Sequence, residues 1–238
     1  MTLALLLHLC DSLFPIGGFA HSDGLEAATA DGTVASPDDL RQWMDVVLDE
    51  SLGRCEALAV VLAWRAHRED RIEDLDALDA EVHALRPSST GRAASRAMGT
   101  RLLKTWREIH PELAAGSLAG VPARGFDGRN RALAAGPRVT LPVAFGIVCA
   151  SIGVDARAAA EGFIYTRLAA TVSSAMRLMP IGQTEAHTLL ARALARVPAT
   201  VDAVEARVSR GERPGAFMPA LDVATMVQQQ VRSRLFLS

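Results

Sequence analysis

The sequence predicts an all-α protein, a single-domain helical bundle of about ten helices, on three observations. Alanine and leucine dominate, while aromatic residues make up only 5%. Apolar residues recur at steps of three and four, and no alternating apolar–polar run of any length occurs. Alanine and leucine are strong helix formers, whereas β-branched and aromatic residues mark sheets. Half of the 238 residues are apolar, ample for a buried core.

Proline and glycine punctuate the elements. Leu3–Leu13 reads as a first helix, ended by Pro15 and the Gly17–Gly18 pair. Asp23 and Glu26, three apart, are expected to cap a short second helix that stops at Gly32. Ser36-Pro37-Asp38-Asp39 is a strong start signal: a Ser N-cap, Pro in the first turn, and acids facing the positive end of the helix dipole. The helix that follows carries Leu40, Met44, Val47 and Leu48 on one side, and a separate one runs from about Cys55 to His67. Ile72, Leu75, Leu78 and Val82 give the next helical stripe.

Ser88 and Ser89 open a long helix closed by Pro111. Ala94, Met98, Leu102, Trp106 and Ile109 lie on one side of it, and Arg92, Arg96, Arg101, Lys104 and Arg107 on the other. Leu103 falls on the basic side and is expected to be exposed. Glycines, prolines and arginines from about 116 to 138 predict a basic flexible loop, the one plausible boundary in what reads as a single domain. Helices resume at Pro142, at Asp155 as an N-cap, after Gly182, and after Pro198, where Val201, Val204 and Val208 keep the period. A tail of about 219–238 closes the chain.

The formal charge is −2, so no global field recruits nucleic acid or an anionic membrane. Locally the charges separate. Glu69, Asp70, Glu73, Asp74, Asp76, Asp79 and Glu81 crowd one segment, expected to be a solvated face. The stretch from Arg86 to Arg107 is basic with no acid. Cys10, Cys55 and Cys149 are scattered and form no C-x-x-C pair, which argues against a disulfide framework or a structural zinc site. The apolar start, Leu3–Leu9, has no basic flank and is interrupted at Asp11, so it is not expected to be a signal peptide. No apolar run approaches the roughly 20 residues that span a bilayer. The expected compartment is the cytoplasm.

Motifs for chemistry are missing. There is no G-x-G-x-x-G, no G-K-[ST], no H-E-x-x-H and no G-x-S-x-G. His8 and Cys10 are two apart and point in different directions on a helix, and His67, His83, His110 and His187 stand alone. No catalytic residue, cofactor or metal ligand is expected. Two segments look like more than packing. Asp11 to Glu26 (DSLFPIGGFAHSDGLE) joins a rigid Pro and permissive glycines to a run of polar side chains. Arg177 to Gln183 (RLMPIGQ) shares Leu-x-Pro-Ile-Gly with it.

The first segment resembles the N-terminal signature of the urease accessory protein F (UreF) family. RLMPIGQ is similar to that family's Arg-Leu-x-Pro-(Leu/Ile)-Gly-Gln stretch, and Ser233-Arg234-Leu235-Phe236 with Ser238 to its C-terminal Ser-Arg-Leu-Phe-x-Ser. Between them, Ala94-Ser95-Arg96 to Leu103 and Pro142-Val143-Ala144-Phe145-Gly146 fall in the family's order, so the resemblance spans nearly the whole chain. Two departures stand out. Thr140 occupies a position where the family usually has His, and Gln228, Gln229, Gln230, Val231 and Arg232 replace a stretch close to His-Glu-Thr-Gln-Tyr. Contacts made by the tail are therefore expected to be weaker or differently matched.

The resemblance implies an all-helical, non-catalytic homodimer that bridges a UreD/UreH-type accessory protein and a UreG-type GTPase. It would regulate GTP hydrolysis and nickel delivery to apo-urease, with no nucleic acid or membrane partner. It also implies partner-binding surfaces: Pro15, Gly17, Gly18, His21, Ser22, Gly24 and Glu26; Arg177, Pro180, Gly182 and Gln183; and Ser233, Arg234, Leu235 and Phe236. Phe236 and Leu235 are expected to be aromatic and apolar anchors on a flexible docking tail with no core of its own to enter. The alternative is a helical DNA-binding regulator using the basic helix and loop.

Overall fold

The computed structural model describes residues 2–113 and 138–238, and among these there is helix but no strand. In chain order the helices are α1 (Thr2–Cys10), α2 (Leu25–Ala30), α3 (Pro37–Val46), α4 (Ala57–Arg68), α5 (Ile72–Ala84), α6 (Ser89–Ile109), α7 (Leu141–Ser151), α8 (Ala156–Leu178), α9 (Gln183–Leu194), α10 (Val197–Ser209) and α11 (Pro219–Val227). Short 3₁₀ turns occupy Gly18–Ala20 and Gln228–Gln230, and Val47–Glu56 is π-helical. The expected loop lies outside the described residues except for Arg138. No described helix is long and apolar enough to cross a membrane.

The start signals act as their chemistry predicts. Ser36 Oγ accepts from Asp39 N–H (3.2 Å) while Asp39 Oδ2 accepts from Ser36 N–H (2.9 Å), a reciprocal capping box at α3. Ser88 Oγ caps α6 through Gly91 N–H (3.2 Å), and Asp155 Oδ1 caps α8 through Ala158 N–H (2.8 Å). The break expected before Cys55 does not occur. The π-helical turns carry the chain straight from α3 into α4, and the wider turn re-aims Glu56 inward, where it is buried.

Helix α4 is the hub, packed against α5, α7, α8 and α10, with α6 laid on α7. Small residues permit this. Ala57, Ala59, Ala63 and Ala144 are buried, and a Cβ on Gly146 would lie 2.4 Å from the Val60 carbonyl oxygen. The α4–α7 backbones are therefore too close for any side chain at that point. Phe145 and Phe163 meet edge to face, centroids 5.3 Å apart, and close the interior beside α8.

Three expectations about faces are corrected. Leu103 is buried, because α6 rests on α7 and also touches α5 and α11, so its apolar face is wider than one stripe. Ile109, at the end of that stripe, is instead 44% exposed. The acidic segment is not wholly solvated, since Asp79 is buried on the inner side of α5 beside Leu75, Leu78 and Val82. Asp79 Oδ1 accepts from Thr140 N–H (2.6 Å) and Thr140 Oγ1 (2.7 Å), and Arg96 lies 3.8 Å from Oδ2. Burial raises the Asp79 pKa, and the Thr140 bonds and Arg96 only partly oppose it. Thr140 thus serves as a buried donor that seats the chain leading into α7.

Candidate functional site: a clasp between the first turn and the tail

The turn after α1, the C-terminal end of α8 and the end of the chain come together. Gly17 (φ 84°) and Gly24 (φ 86°) occupy the left-handed region, which side chains disfavour. At Gly24 space demands glycine as well, since a Cβ there would sit 2.8 Å from Thr225 N in α11; one on Gly17 would meet the movable end of Arg101, 2.7 Å from Nη1. The glycines therefore let the turn lie flat against α11 and α6. Pro15 and Gly18 complete the bend that delivers His21 and Ser22.

The tail pairs with this turn through the backbone. Leu237 N–H donates to Ala20 C=O (2.7 Å), and Ser22 N–H donates to Ser238 C=O (2.6 Å). His21 Nδ1 and Ser238 Oγ share a hydrogen bond of 2.6 Å. Glu26 is buried at the centre of the clasp. Its Oε1 accepts from Leu235 N–H (2.5 Å), and its Oε2 accepts from Phe236 N–H (3.3 Å) and Gln228 Nε2 (2.5 Å). Gln228 is itself fully buried, its Oε1 accepting from Ala27 N–H (3.1 Å). The short α2 is therefore tied to the tail at three places.

The expected capping of α2 by Asp23 and Glu26 is not what these acids do. Gly24 is the N-cap residue and supplies no side chain. Asp23 instead pairs with Arg167 of α8; Arg167 Nε lies 3.6 Å from Glu56 Oε2, and Glu56 Oε1 pairs with Arg86. Burial would raise the Asp23 pKa, but the Arg167 and Arg86 guanidiniums and His21 outweigh it and hold the carboxyl below its ordinary range. Desolvation lowers His21; Asp23 opposes this, and Arg167 and Arg101 add to it.

Phe236 corrects the expectation of a free aromatic anchor. It is 2% exposed, with the Arg177 guanidinium 4.0 Å over its ring. Arg177 Nη2 also donates to Phe19 C=O (2.9 Å), so one side chain ties α8 to both the turn and the tail. The tail is also packed against the rest of the chain. Residues 219–227 are helical with Leu221 and Ala224 buried, and the terminal segment is hydrogen bonded. Towards its end the tail turns Arg232, Ser233, Arg234, Leu235 and Leu237 outward. Pro180, Gly182 and Gln183 lie on the exposed approach to α9 and make no hydrogen bond to the clasp, so only Arg177 of that motif joins it.

Sequence reasoning missed the Asp23–Arg167–Glu56–Arg86 chain and the role of Gln228. Arg167, charged in a mid-helix stretch that is otherwise apolar and small, was a signal for the first. The histidines do not all stand alone. His110 Nε2 lies 3.4 Å from His8 Nδ1, in a ring cluster with Phe14 and Trp106. Among the described residues no group of three or more His, Cys, Asp or Glu side chains is placed to hold a metal ion. Cys10, Cys55 and Cys149 are free thiols; burial pushes Cys10 and Cys55 up to about 12 and Cys149 well above its ordinary value.

Fold and site together define an all-helical protein whose distinctive surface is a terminal clasp assembled from three distant motifs. The sequence model of the UreF family matches residues 34–194. Along its whole length the chain is 32% identical over 240 residues to urease accessory protein UreF of Methylibium petroleiphilum, covering 94% of that protein. It is 31% identical over 234 residues to the UreF of Cupriavidus pinatubonensis, with 98% of this chain and 96% of that one covered. To the UreF of Rhodopseudomonas palustris it is 30% identical over 226 residues, covering 94% and 88%. The chain belongs to the UreF family.

Proposed function

We propose that this chain is a non-catalytic urease maturation factor. It works as a cytoplasmic homodimer that bridges a UreD/UreH-type accessory protein and a UreG-type GTPase, regulating GTP hydrolysis and the delivery of nickel, as cargo, to apo-urease. Family membership supports the role in urease maturation. The observation that carries the bridging role is the clasp, which gathers the turn, Arg177 and the tail into one ordered surface. Beside it the protein exposes large apolar side chains: Leu235 (65%) and Leu237 (66%) on the tail, and Val223 and Met226 one turn apart on α11. Apolar groups held out on an ordered scaffold mark a protein-binding face.

The test is light scattering on a sizing column, with the protein alone and then mixed with its cognate UreD-type and UreG-type proteins. A dimer that enters a larger stoichiometric complex supports the proposal, and a monomer that ignores both partners refutes it. Leu235→Asp with Leu237→Asp touches only outward side chains. We expect it to abolish recruitment of the UreD-type partner while the helical circular dichroism stays unchanged. Phe236→Ala should weaken the same contact indirectly, by loosening the tail.

A further inference from the structure

A second surface lies on the outer side of α6 and meets the clasp at Arg101, whose guanidinium sits beside Gly17. Arg92, Arg96, Arg101 and Lys104 of α6, His83 of α5 and Arg138 line an open groove of about 910 Å³. Among the described lining residues the one carboxylate is Glu108, which sits 3.9 Å from Lys104 with both side chains largely in water. Two buried nitrogens of lining residues, Arg96 Nε and His83 Nδ1, have no hydrogen-bond partner among the described residues. Arg92 is fixed in place by donating to the Arg86 and Pro87 carbonyls (2.7 and 2.9 Å). The local field is positive: His83 is held below its ordinary pKa by burial and then by Arg96, Arg92, Arg86 and Arg138.

We infer that this groove binds a carboxylate-rich helix or strand of a partner protein. Three considerations select that occupant. From Arg92 to Lys104 the cations run along about 18 Å of helix at 1.5 Å per residue, which suits an extended segment rather than a single small anion. Glu108 on Lys104 and the buried Asp79 on Arg96 offset part of this charge, and Arg92, Arg101 and Arg138 leave an excess of cations along the groove. A polynucleotide fits less well. The chain's net charge is −2, and the helix that supplies His83 also exposes Glu73 and Asp74, which repel a uniform polyanion but suit a protein segment of mixed charge.

This inference does not rest on the proposed urease assembly, and it is read out on the chain alone. The probe is a labelled helical peptide with glutamates at i, i+3 and i+4 spacing, followed by fluorescence anisotropy. Its glutamine counterpart and a duplex DNA of similar total charge serve as comparisons. We expect the acidic peptide to bind at low ionic strength, the glutamine peptide to bind at least tenfold more weakly, and added salt to weaken the acidic peptide. Lys104→Glu with Arg138→Glu alters two exposed side chains and should reduce binding about tenfold with helical circular dichroism unchanged. If that pair disturbs the fold, Lys104→Gln alone should still give a measurable loss. An acidic peptide that does not bind overturns the inference. So does one whose binding ignores the substitutions, or duplex DNA that binds as tightly as the peptide.

Discussion

Glu26 offers the sharpest test of the clasp, because a single-atom change there removes an acceptor and adds a donor. Its two oxygens receive three donors: the Leu235 and Phe236 amides and the Gln228 side chain. In Glu26→Gln one oxygen remains, and the new NH₂ group must face donors. If it points at Gln228, that amide can turn over to accept, but Gln228 Oε1 then abandons Ala27 N–H. Any arrangement leaves at least one buried donor unpaired, at about 1–3 kcal/mol, and forfeits part of the charge-assisted bonding, worth roughly 1.5–3 kcal/mol per bond. A net loss of about 2–4 kcal/mol falls on the tail rather than on the α4 hub. It should therefore appear as local opening. The assay is hydrogen exchange at the Leu235, Phe236 and Leu237 amides, which should speed by about 30- to 1000-fold. Amides of α4 and α7 should be protected as before. Wild-type exchange in the tail of Glu26→Gln would refute the reasoning, because the carboxylate would then not be what holds the segment.

Two further outcomes follow from the same geometry. Gly24→Ala should destabilise the protein by about 2–4 kcal/mol, combining left-handed strain with overpacking against the α11 backbone at Thr225. At roughly 2–4 °C per kcal/mol a calorimetric melt reads this directly, and an unchanged melt would mean the turn does not lie on α11. The His21 pKa is lowered in the folded state, so the unfolded chain takes up the proton more readily. Its contribution to clasp stability is present above about pH 6.5 and is lost as pH falls through the lower folded value. Tail-amide opening, taken as exchange divided by the intrinsic rate at each pH, should rise down the acid side for the wild type, and His21→Asn should flatten that dependence.

The fold was legible in the sequence because helix periodicity and capping are local. The Ser36 box, the Ser88 and Asp155 caps and the apolar stripe of α6 from Ala94 to Trp106 all stand where the residues put them. Errors came where a distant element decides. Nothing near Leu103 in the chain announces that α7, α5 and α11 surround α6. Nor does the acidic run around Asp79 announce that Thr140 will arrive to accept burial beside it. The break expected before Cys55 failed because a π-helical register can carry a glycine such as Gly53 through a continuous helix. The site was legible as motifs, since turn, RLMPIGQ and tail were all marked, but not as an assembly. Asp23 and Glu26 have cap spacing, and only the fold shows that Arg167 and the tail amides claim them.

The burial pattern of the tail joins its structural and functional readings. Phe236 and Ser238 point inward while Leu235 and Leu237 point outward, the period-two alternation of an extended segment paired along one edge. Phe236 sets this register by filling the space under Arg177, and a slip of one residue would turn both leucines inward and Phe236 out. The buried aromatic is thus a positioning residue, and the leucines it turns outward are the groups available to a partner. A loose tail would lose backbone and side-chain freedom on docking, at about 1–2 kcal/mol per ordered residue for the backbone alone. Here the clasp has already taken that cost during folding, so the surface is preorganised. Gln228 fits the same economy. A neutral side chain that accepts from Ala27 and donates to Glu26 keeps the clasp closed without titrating near neutral pH, as a histidine there would. Gln228 is thereby part of what orders the tail.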